Sequence, residues 1–362
     1  MVKTIAISCC GIGLGHAARD KAIFDKLRKK FSVKILSYGE GYSFLMKNKI
    51  NTIKIPGISY AHGMYSFDIF SEVFEKVASF GKIRRNYIAF CKILDKIKPN
   101  LVITDLEPYA FLYAYRRNIP VIVLSNVIAT LNNYDGLPER IKNNSLALQG
   151  FMLRQFVQFM LNRGTLFVEP SFDLNARKQS KVVQSDLVVR KLPAAVENGC
   201  HYKDFYYVSI GSQLERGLAS KFKKILPEFK DKYFLIATSS AKRREMGENF
   251  VVMPFVKDPF PLIKNCSGII APAGHTIISE ALVYGKPILA VPMKNHIEQV
   301  VNAYLVEKQG FGLACYDLKN LESSIGKFLL QNKRFERNIS KAKFKANGAE
   351  QIAKIVSGLL KK

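Results

Sequence analysis

Three places in this chain gather residues able to do chemistry. The first is Gly11-Ile12-Gly13-Leu14-Gly15-His16, a glycine-rich turn that ends on a histidine. Imidazole exchanges a proton near neutral pH, so His16 can serve as a base or, alternatively, cap a helix or hold an anion. The second is Thr104-Asp105-Leu106-Glu107, with two carboxylates two residues apart. Either could orient an imidazole or accept a hydroxyl proton, and the competing reading is a pair that caps a helix. The third is Gly274-His275-Thr276, with Glu280 one turn further on. Free N–H groups and the dipole at a helix start suit a diphosphate. Glu280 then lies roughly 6 Å farther along the same face, where ribose hydroxyls would sit.

These residues need elements to hold them. Thr4–Ser8, Ser32–Ser37, Leu101–Thr104 and Pro120–Ser125 read as buried parallel strands, separated by helical stretches such as Ala17–Lys30 and Tyr87–Ile97. A second series follows at Tyr206–Ile210, Tyr233–Thr238, Phe250–Val252, Gly268–Ile270 and Ile288–Val291. Two successive βαβ series predict an α/β protein of two doubly wound, Rossmann-like domains facing across a crevice. The expected division is an acceptor-side domain at 1–192, a second domain at 203–334, and a segment 335–362. A linker is expected at Lys191–Tyr202, and the stretch from about Phe335 to Lys362 reads as one basic amphipathic helix.

Composition narrows the class. At 362 residues, 48% hydrophobic and 23% charged, the chain is neither disordered, fibrous nor a coiled coil. Its net charge of +26 calls for an anionic partner, whether nucleic acid, a lipid surface or phosphorylated small molecules. The six cysteines form no CxxC pair and read as reduced, buried thiols. No apolar window is long enough to span a membrane, and the N-terminus runs straight into a strand, so a cytoplasmic protein is expected.

The first glycine turn is not a dinucleotide fingerprint. His16 stands where its third glycine belongs, and the second strand ends in Ser37-Tyr38-Gly39 rather than an acidic residue. No cofactor is therefore expected. No Asp-x-Asp diphosphate motif occurs either, which argues against a metal-dependent transferase, and no metal ligands are assigned.

The order and spacing of five short stretches carry a resemblance. They are Gly13-Leu14-Gly15-His16; Gly211-Ser212-Gln213; Phe255-Val256-Lys257-Asp258; Gly274-His275-Thr276 through Glu280; and Glu298-Gln299-Val300-Val301-Asn302-Ala303. Across nearly its whole length the chain resembles the two-domain GT-B nucleotide-sugar transferases, family 28 and its archaeal relatives above all. The resemblance implies that Ser212 and amides near Gly211 contact the diphosphate and that the Val256 backbone meets the base. It also implies that Glu280 holds the ribose, Arg190 faces uracil, and Glu298 and Gln299 read the donor sugar. The chain departs from the bacterial pattern at Gly274 and at Glu298, where a glutamine is usual. The implied reaction is metal-free, inverting transfer of a sugar from a nucleotide diphosphate, UDP most of all, to a hydroxyl. His16 or Asp105 would act as base, with Gly13, Gly15 and Glu107 on the acceptor side. The C-terminal segment would return to the first domain.

Two stretches could hold the acceptor. Ile58–Asn86 carries Met64, Tyr65, Phe67, Phe70, Phe74 and Phe80 ahead of Lys82, Arg84 and Arg85; Phe151–Arg163 sets Phe156, Phe159 and Met160 among Arg154 and Arg163. Aromatic faces beside cations suit a lipid-linked acceptor in an anionic membrane surface, placing the enzyme at the inner face of the cell membrane. Both could instead be ordinary core. Competing readings are a UDP-sugar 2-epimerase on the same scaffold and a basic nucleic-acid-binding protein. Against the latter, no recognised nucleic-acid module occurs, so no nucleic-acid partner is expected.

Overall fold

The structure is a computed structural model that describes the chain except residues 1, 58–61, 64–65, 68–79, 164, 177, 191–203, 211–214, 255–258 and 362. The Lys191–Tyr202 linker, Gly211, Ser212, Val256, Cys200 and most of the first aromatic stretch lie outside the described residues.

Two seven-stranded sheets organise it. The first comprises β1 (Thr4–Cys9), β2 (Ser32–Ser37), β3 (Thr52–Lys54), β6 (Leu101–Asp105), β7 (Val121–Leu124), β8 (Leu166–Pro170) and β9 (Val182–Ser185). Its order is β3-β2-β1-β6-β7-β8-β9, parallel throughout. A two-residue pairing, β4 (His62–Gly63) with β5 (Ser66–Phe67), lies apart from it. The second sheet comprises β10 (Phe205–Ile210), β11 (Tyr233–Thr238), β12 (Glu245–Met246), β13 (Phe250–Pro254), β14 (Gly268–Ala271), β15 (Ile288–Ala290) and β16 (Gly312–Ala314). Its order is β12-β13-β11-β10-β14-β15-β16, with only β12 antiparallel.

The near-continuous apolar runs follow from burial on both faces. In β1, Ile5, Ile7 and Cys9 join Ala17, Ile23 and Leu27 of the helix Gly15–Leu27 on one face. Ala6 points the other way, toward Phe90, Leu94 and Tyr109. The strands absent from the sequence reading are short, or carry a charge inside the run, as Glu169 does in β8.

Strand order fixes where ligands can sit. In the first sheet the order reverses between β1 and β6, and in the second between β10 and β14. Ligand crevices open beyond the carboxyl ends of such strands. Three of these strands lead into candidate residues the structure describes: His16 after β1, Asp105 and Glu107 at the end of β6, and Gly274 to Glu280 after β14.

The C-terminal segment differs from expectation. It is two helices, Leu321–Ala342 and Gly348–Leu359, separated where Lys343 turns left-handed at φ 53°. The first packs on the second sheet through Ile325, Phe328 and Phe335. The second crosses to the first sheet, burying Ala349, Ile352 and Val356 beside Ile23 and Leu27. Gln351 pairs with Asp186 through both its amide atoms, and Lys26 pairs with Glu350. One straight helix cannot pack on both sheets, so the left-handed break is what lets the chain cross.

Candidate active site

The turn after β1 depends on two glycines. Gly13 adopts φ 69°, which only glycine takes readily. Gly11 lies so close to Tyr38 that an added Cβ would stand 2.0 Å from its carbonyl oxygen. The turn thus folds tightly over the end of β2 and starts the next helix at Gly15, so His16 occupies its first turn.

The register of β1 on β6 sets Asp105 beside Cys9, directly under that turn. His16 Nδ1 lies 2.9 Å from Asp105 Oδ1. Arg19, one turn further along the helix, donates from Nε to Asp105 Oδ2 at 3.0 Å and from Nη2 to Oδ1 at 2.5 Å. Asp105 and Arg19 are buried, whereas the His16 side chain keeps 23% of its surface exposed. Burial alone would raise the Asp105 carboxyl, but the Arg19 guanidinium and His16 hold it well below the usual carboxylate range. Burial and the neighbouring Asp105 charge push the adjacent Asp20 well above that range. Asp105 is therefore ionised and locked in place; of the two base candidates, only His16 reaches solvent.

Glu107 does not stand on the rim. It is 1% exposed and caps the helix Pro108–Arg116, accepting from Tyr109 N at 3.3 Å and Ala110 N at 2.9 Å. The Pro108 ring presets the first helical turn, which leaves the Glu107 carboxylate as its cap. The helix-capping reading holds here, and the acceptor-side role assigned to Glu107 is corrected. Gly13 and Gly15 shape the turn, and Gly15 O accepts from Thr276 Oγ1 of the second domain at 3.1 Å.

That contact joins the two halves. The helix His275–Val283 leaves β14 with Gly274 as its N-cap, and the cap position carries no side-chain hydrogen bond. His275 is buried against Phe172, with ring centroids 5.3 Å apart, and Ser279 Oγ lies 3.3 Å from its Nδ1. Burial, then the Arg19 charge, pull its pKa down to about 4, so it is a neutral packing residue between the domains. Glu280 is 2% exposed and meets Arg190 with both oxygens, at 2.9 Å from Nε and 3.2 Å from Nη2. The Arg190 guanidinium also lies 4.5 Å from the Phe260 ring centre. The partner that a buried glutamate requires is thus Arg190, 90 residues earlier in the chain.

Glu298 and Gln299 open the helix Ile297–Lys308. Gln299 is buried, and its Oε1 accepts from Met293 N at 3.0 Å, so it braces the preceding loop; Glu298 is partly exposed. The sequence reading missed Arg19 and Asp20, although both follow His16 at the spacing that puts them on one helix face. It also missed Asn302, whose Nδ2 donates to Ala273 O at 3.0 Å and fixes the loop before the helix His275–Val283. Among the described residues no cluster of three His, Cys, Asp or Glu side chains forms a metal site. A cavity of about 450 Å3 opens elsewhere, between Glu169, Asn133, Asp173 and Lys308.

Two buried glutamates set a pH dependence. Burial pushes Glu107 and Glu169 up to about 7, against backbone N–H donors that pull the other way. Unfolded glutamate titrates near 4.3, so the folded values are raised. The stability tied to each is fully present below about pH 4.3 and is lost as pH rises through about 7. Urea unfolding should therefore show the native state weakening between pH 5 and 8, by about 3 kcal/mol per group at most, and Glu107→Gln should flatten the curve. Stability rising over that interval would contradict this assignment.

A family model described as glycosyl transferase family 1 matches residues 4–332. An uncharacterized glycosyltransferase of Methanosarcina acetivorans is 26% identical over 330 residues, 85% of this chain and 84% of that protein. The UDP-N-acetylglucosamine–N-acetylmuramyl-(pentapeptide) pyrophosphoryl-undecaprenol N-acetylglucosamine transferase of a Thermotoga species is 24% identical, covering 74% and 73%. Among solved structures, spinosyn forosaminyltransferase SpnP superposes with a TM-score of 0.70 over all of both chains at 15% identity. Spinosyn rhamnosyltransferase SpnG, solved with thymidine diphosphate, gives 0.67 at 13% identity and 99% coverage of both. With a family match across almost its entire length and a GT-B architecture, the chain belongs to glycosyl transferase family 1 and is a glycosyltransferase.

Proposed function

We propose that the protein transfers a sugar, with inversion and without a metal, from a UDP-linked donor to a hydroxyl on a lipid-linked acceptor. The observation that carries this reading is the 2.9 Å contact of His16 with Asp105 at the switch point of the first sheet. The Thr276–Gly15 hydrogen bond draws the open helix N-terminus of the second sheet up to the same turn. Asp105 engages Nδ1, and among the described residues Nε2 has no hydrogen bond, which leaves it for the acceptor. The acceptor oxygen attacks the anomeric carbon as Nε2 takes its proton. The bond from that carbon to the diphosphate breaks with its electron pair on the phosphate oxygen. The N–H groups opening His275–Val283 oppose the charge that develops there. One displacement inverts the anomeric centre. Two similar proteins support the choice of donor and acceptor: the Thermotoga relative is named for a UDP-sugar donor and an undecaprenol-linked acceptor, and the SpnG structure holds thymidine diphosphate.

A melting series with UDP, GDP and TDP in EDTA tests the donor side. UDP at a hundred times its dissociation constant should stabilise the native state by about 2.7 kcal/mol. No response to any nucleoside diphosphate would sink the reading.

The acceptor side is supported by the helix Asn144–Asn162. It buries Leu146, Val157 and Met160 but exposes Phe151, Met152, Phe156 and Phe159. Arg163 sits 3.5 Å from the Phe159 ring centre and 5.1 Å from that of exposed Tyr115. Core packing thus explains only part of this stretch, and its outer face pairs aromatic surface with cations, as docking on an anionic bilayer requires. No helix among the described residues is long and apolar enough to cross a membrane. Vesicles containing phosphatidylserine should pull the protein down at low salt, and Phe156→Ser/Phe159→Ser should weaken this. Equal recovery with neutral vesicles, or no recovery, would exclude the surface.

A further inference from the structure

We propose that Arg19 is a positioning residue for sugar transfer: by holding both oxygens of Asp105, it keeps that carboxylate as the orienting partner of His16. This rests on the reading of His16 as the base. Arg19 is 3% exposed and lies on the same helix as His16, one turn on. Its Nε and Nη2 reach the two different oxygens of Asp105, at 3.0 and 2.5 Å. Nη2 is also 3.2 Å from His16 Nδ1. Oδ1 is thus shared by the guanidinium and the imidazole. A planar fork that spans a carboxylate fixes its plane, and with it the direction of the lone pair offered to Nδ1–H. The ring then presents Nε2 in the tautomer able to accept a proton.

The surroundings show why a cation is needed there. Asp20, the next residue, is 0% exposed and lies against the Asp105 carboxylate and the Cys9 thiol. Two carboxyl groups therefore share one dry cluster with one guanidinium. Cys9 faces them from β1 and Asp105 from β6, while Glu298 and His275 approach Arg19 from the second domain. Without Arg19, the Asp105 charge has only the imidazole left to neutralise it. The imidazolium would be stabilised before substrate arrives, and a base already protonated cannot take the acceptor's proton. Arg19 acts on the imidazole chiefly through Asp105, and its 3% exposure keeps it below the rim.

The test needs no substrate. Imidazole nitrogen-15 NMR on the full chain follows the His16 tautomer and titration midpoint, with the signal assigned by its loss in His16→Ala. Arg19→Met should raise the midpoint by about one pH unit or more, a tenfold gain in proton affinity. Arg19→Lys, which keeps the charge but cannot span both oxygens, should raise it less while blurring the tautomer preference. In Arg19→Met/Asp105→Asn the rise, measured from Asp105→Asn alone, should be smaller than in Arg19→Met measured from wild type, because part of the guanidinium's effect runs through that carboxylate and the rest through its own contact with Nδ1. A midpoint and tautomer equal to wild type in either folded single variant would overturn the proposal. Failure of the base assignment would show separately, as His16→Ala transferring sugar at the parent rate.

Discussion

His16→Ala is expected to lower kcat by about 10²–10⁴-fold, the usual contribution of a positioned general base, with donor KM little changed. UDP release from a UDP-sugar, with a lipid extract as acceptor, reads both constants. The reason is geometric. His16 is partly exposed and sits on the rim between the sheets, while Asp105 beneath it is buried and already engaged by two partners. Its replacement leaves Asp105 with Arg19 as a closed ion pair, so the fold should survive and melting should barely move. Asp105→Asn should lose activity too, but for a different cause: the ring would lose the charge that stabilises its protonated form. Unchanged turnover in His16→Ala would remove it from the chemistry altogether.

Glu280→Ala should have the largest effect on donor binding, raising the UDP dissociation constant at least 100-fold and abolishing the UDP-dependent rise in melting temperature. It should also destabilise the apoprotein by about 3–5 kcal/mol, because a guanidinium shielded by Phe260 loses its carboxylate. Glu280→Gln separates the two effects: it retains acceptor and donor atoms toward the ribose while the ion pair is gone. The converse change, Arg190→Ala, should be as destabilising, since it strands a carboxylate that is 2% exposed. A double-mutant cycle on Arg190 and Glu280 that shows no coupling would refute the pairing seen in the structure. Normal UDP binding by folded Glu280→Ala would refute the ribose assignment while leaving the ion pair intact.

How these sites could be read from sequence differs by residue. The position of His16 at the carboxyl end of a strand was legible because a glycine turn follows an apolar run and opens a helix. Gly274-His275-Thr276 and Glu280 were legible as a strand end followed by one helical turn of spacing. Glu107 was not, because a carboxylate beyond a strand end looks the same whether it faces a cleft or turns inward to cap the next helix. The helix dipole and two free N–H groups drew it inward, an outcome that Pro108 at the first helical position permits but does not by itself decide. Arg19 escaped notice since a basic residue on an amphipathic helix is ordinarily solvated. Only Asp105, arriving from 86 residues away, makes it a buried fork. His275 entered the reading through the free N–H groups of its turn, and where its ring goes was not legible: it packs on Phe172, a residue far away in sequence.

The sequence alone determined the two parallel sheets, because apolar runs bounded by turns and spaced by amphipathic helices admit little else. It also determined which loops lie at the carboxyl ends of strands, and so which residues compete for chemistry. Tertiary structure decided the rest. Strand order put β1 beside β6 and β10 beside β14, which brought His16 to Asp105 and turned separate loops into a shared rim. Burial then sorted four carboxylates into different states: Asp105 ionised by Arg19, Asp20 and Glu107 driven toward their protonated forms, and Glu280 paired with Arg190. Proton affinity depends on the charges and water within a few ångströms, and those neighbours come from parts of the chain that only folding brings together.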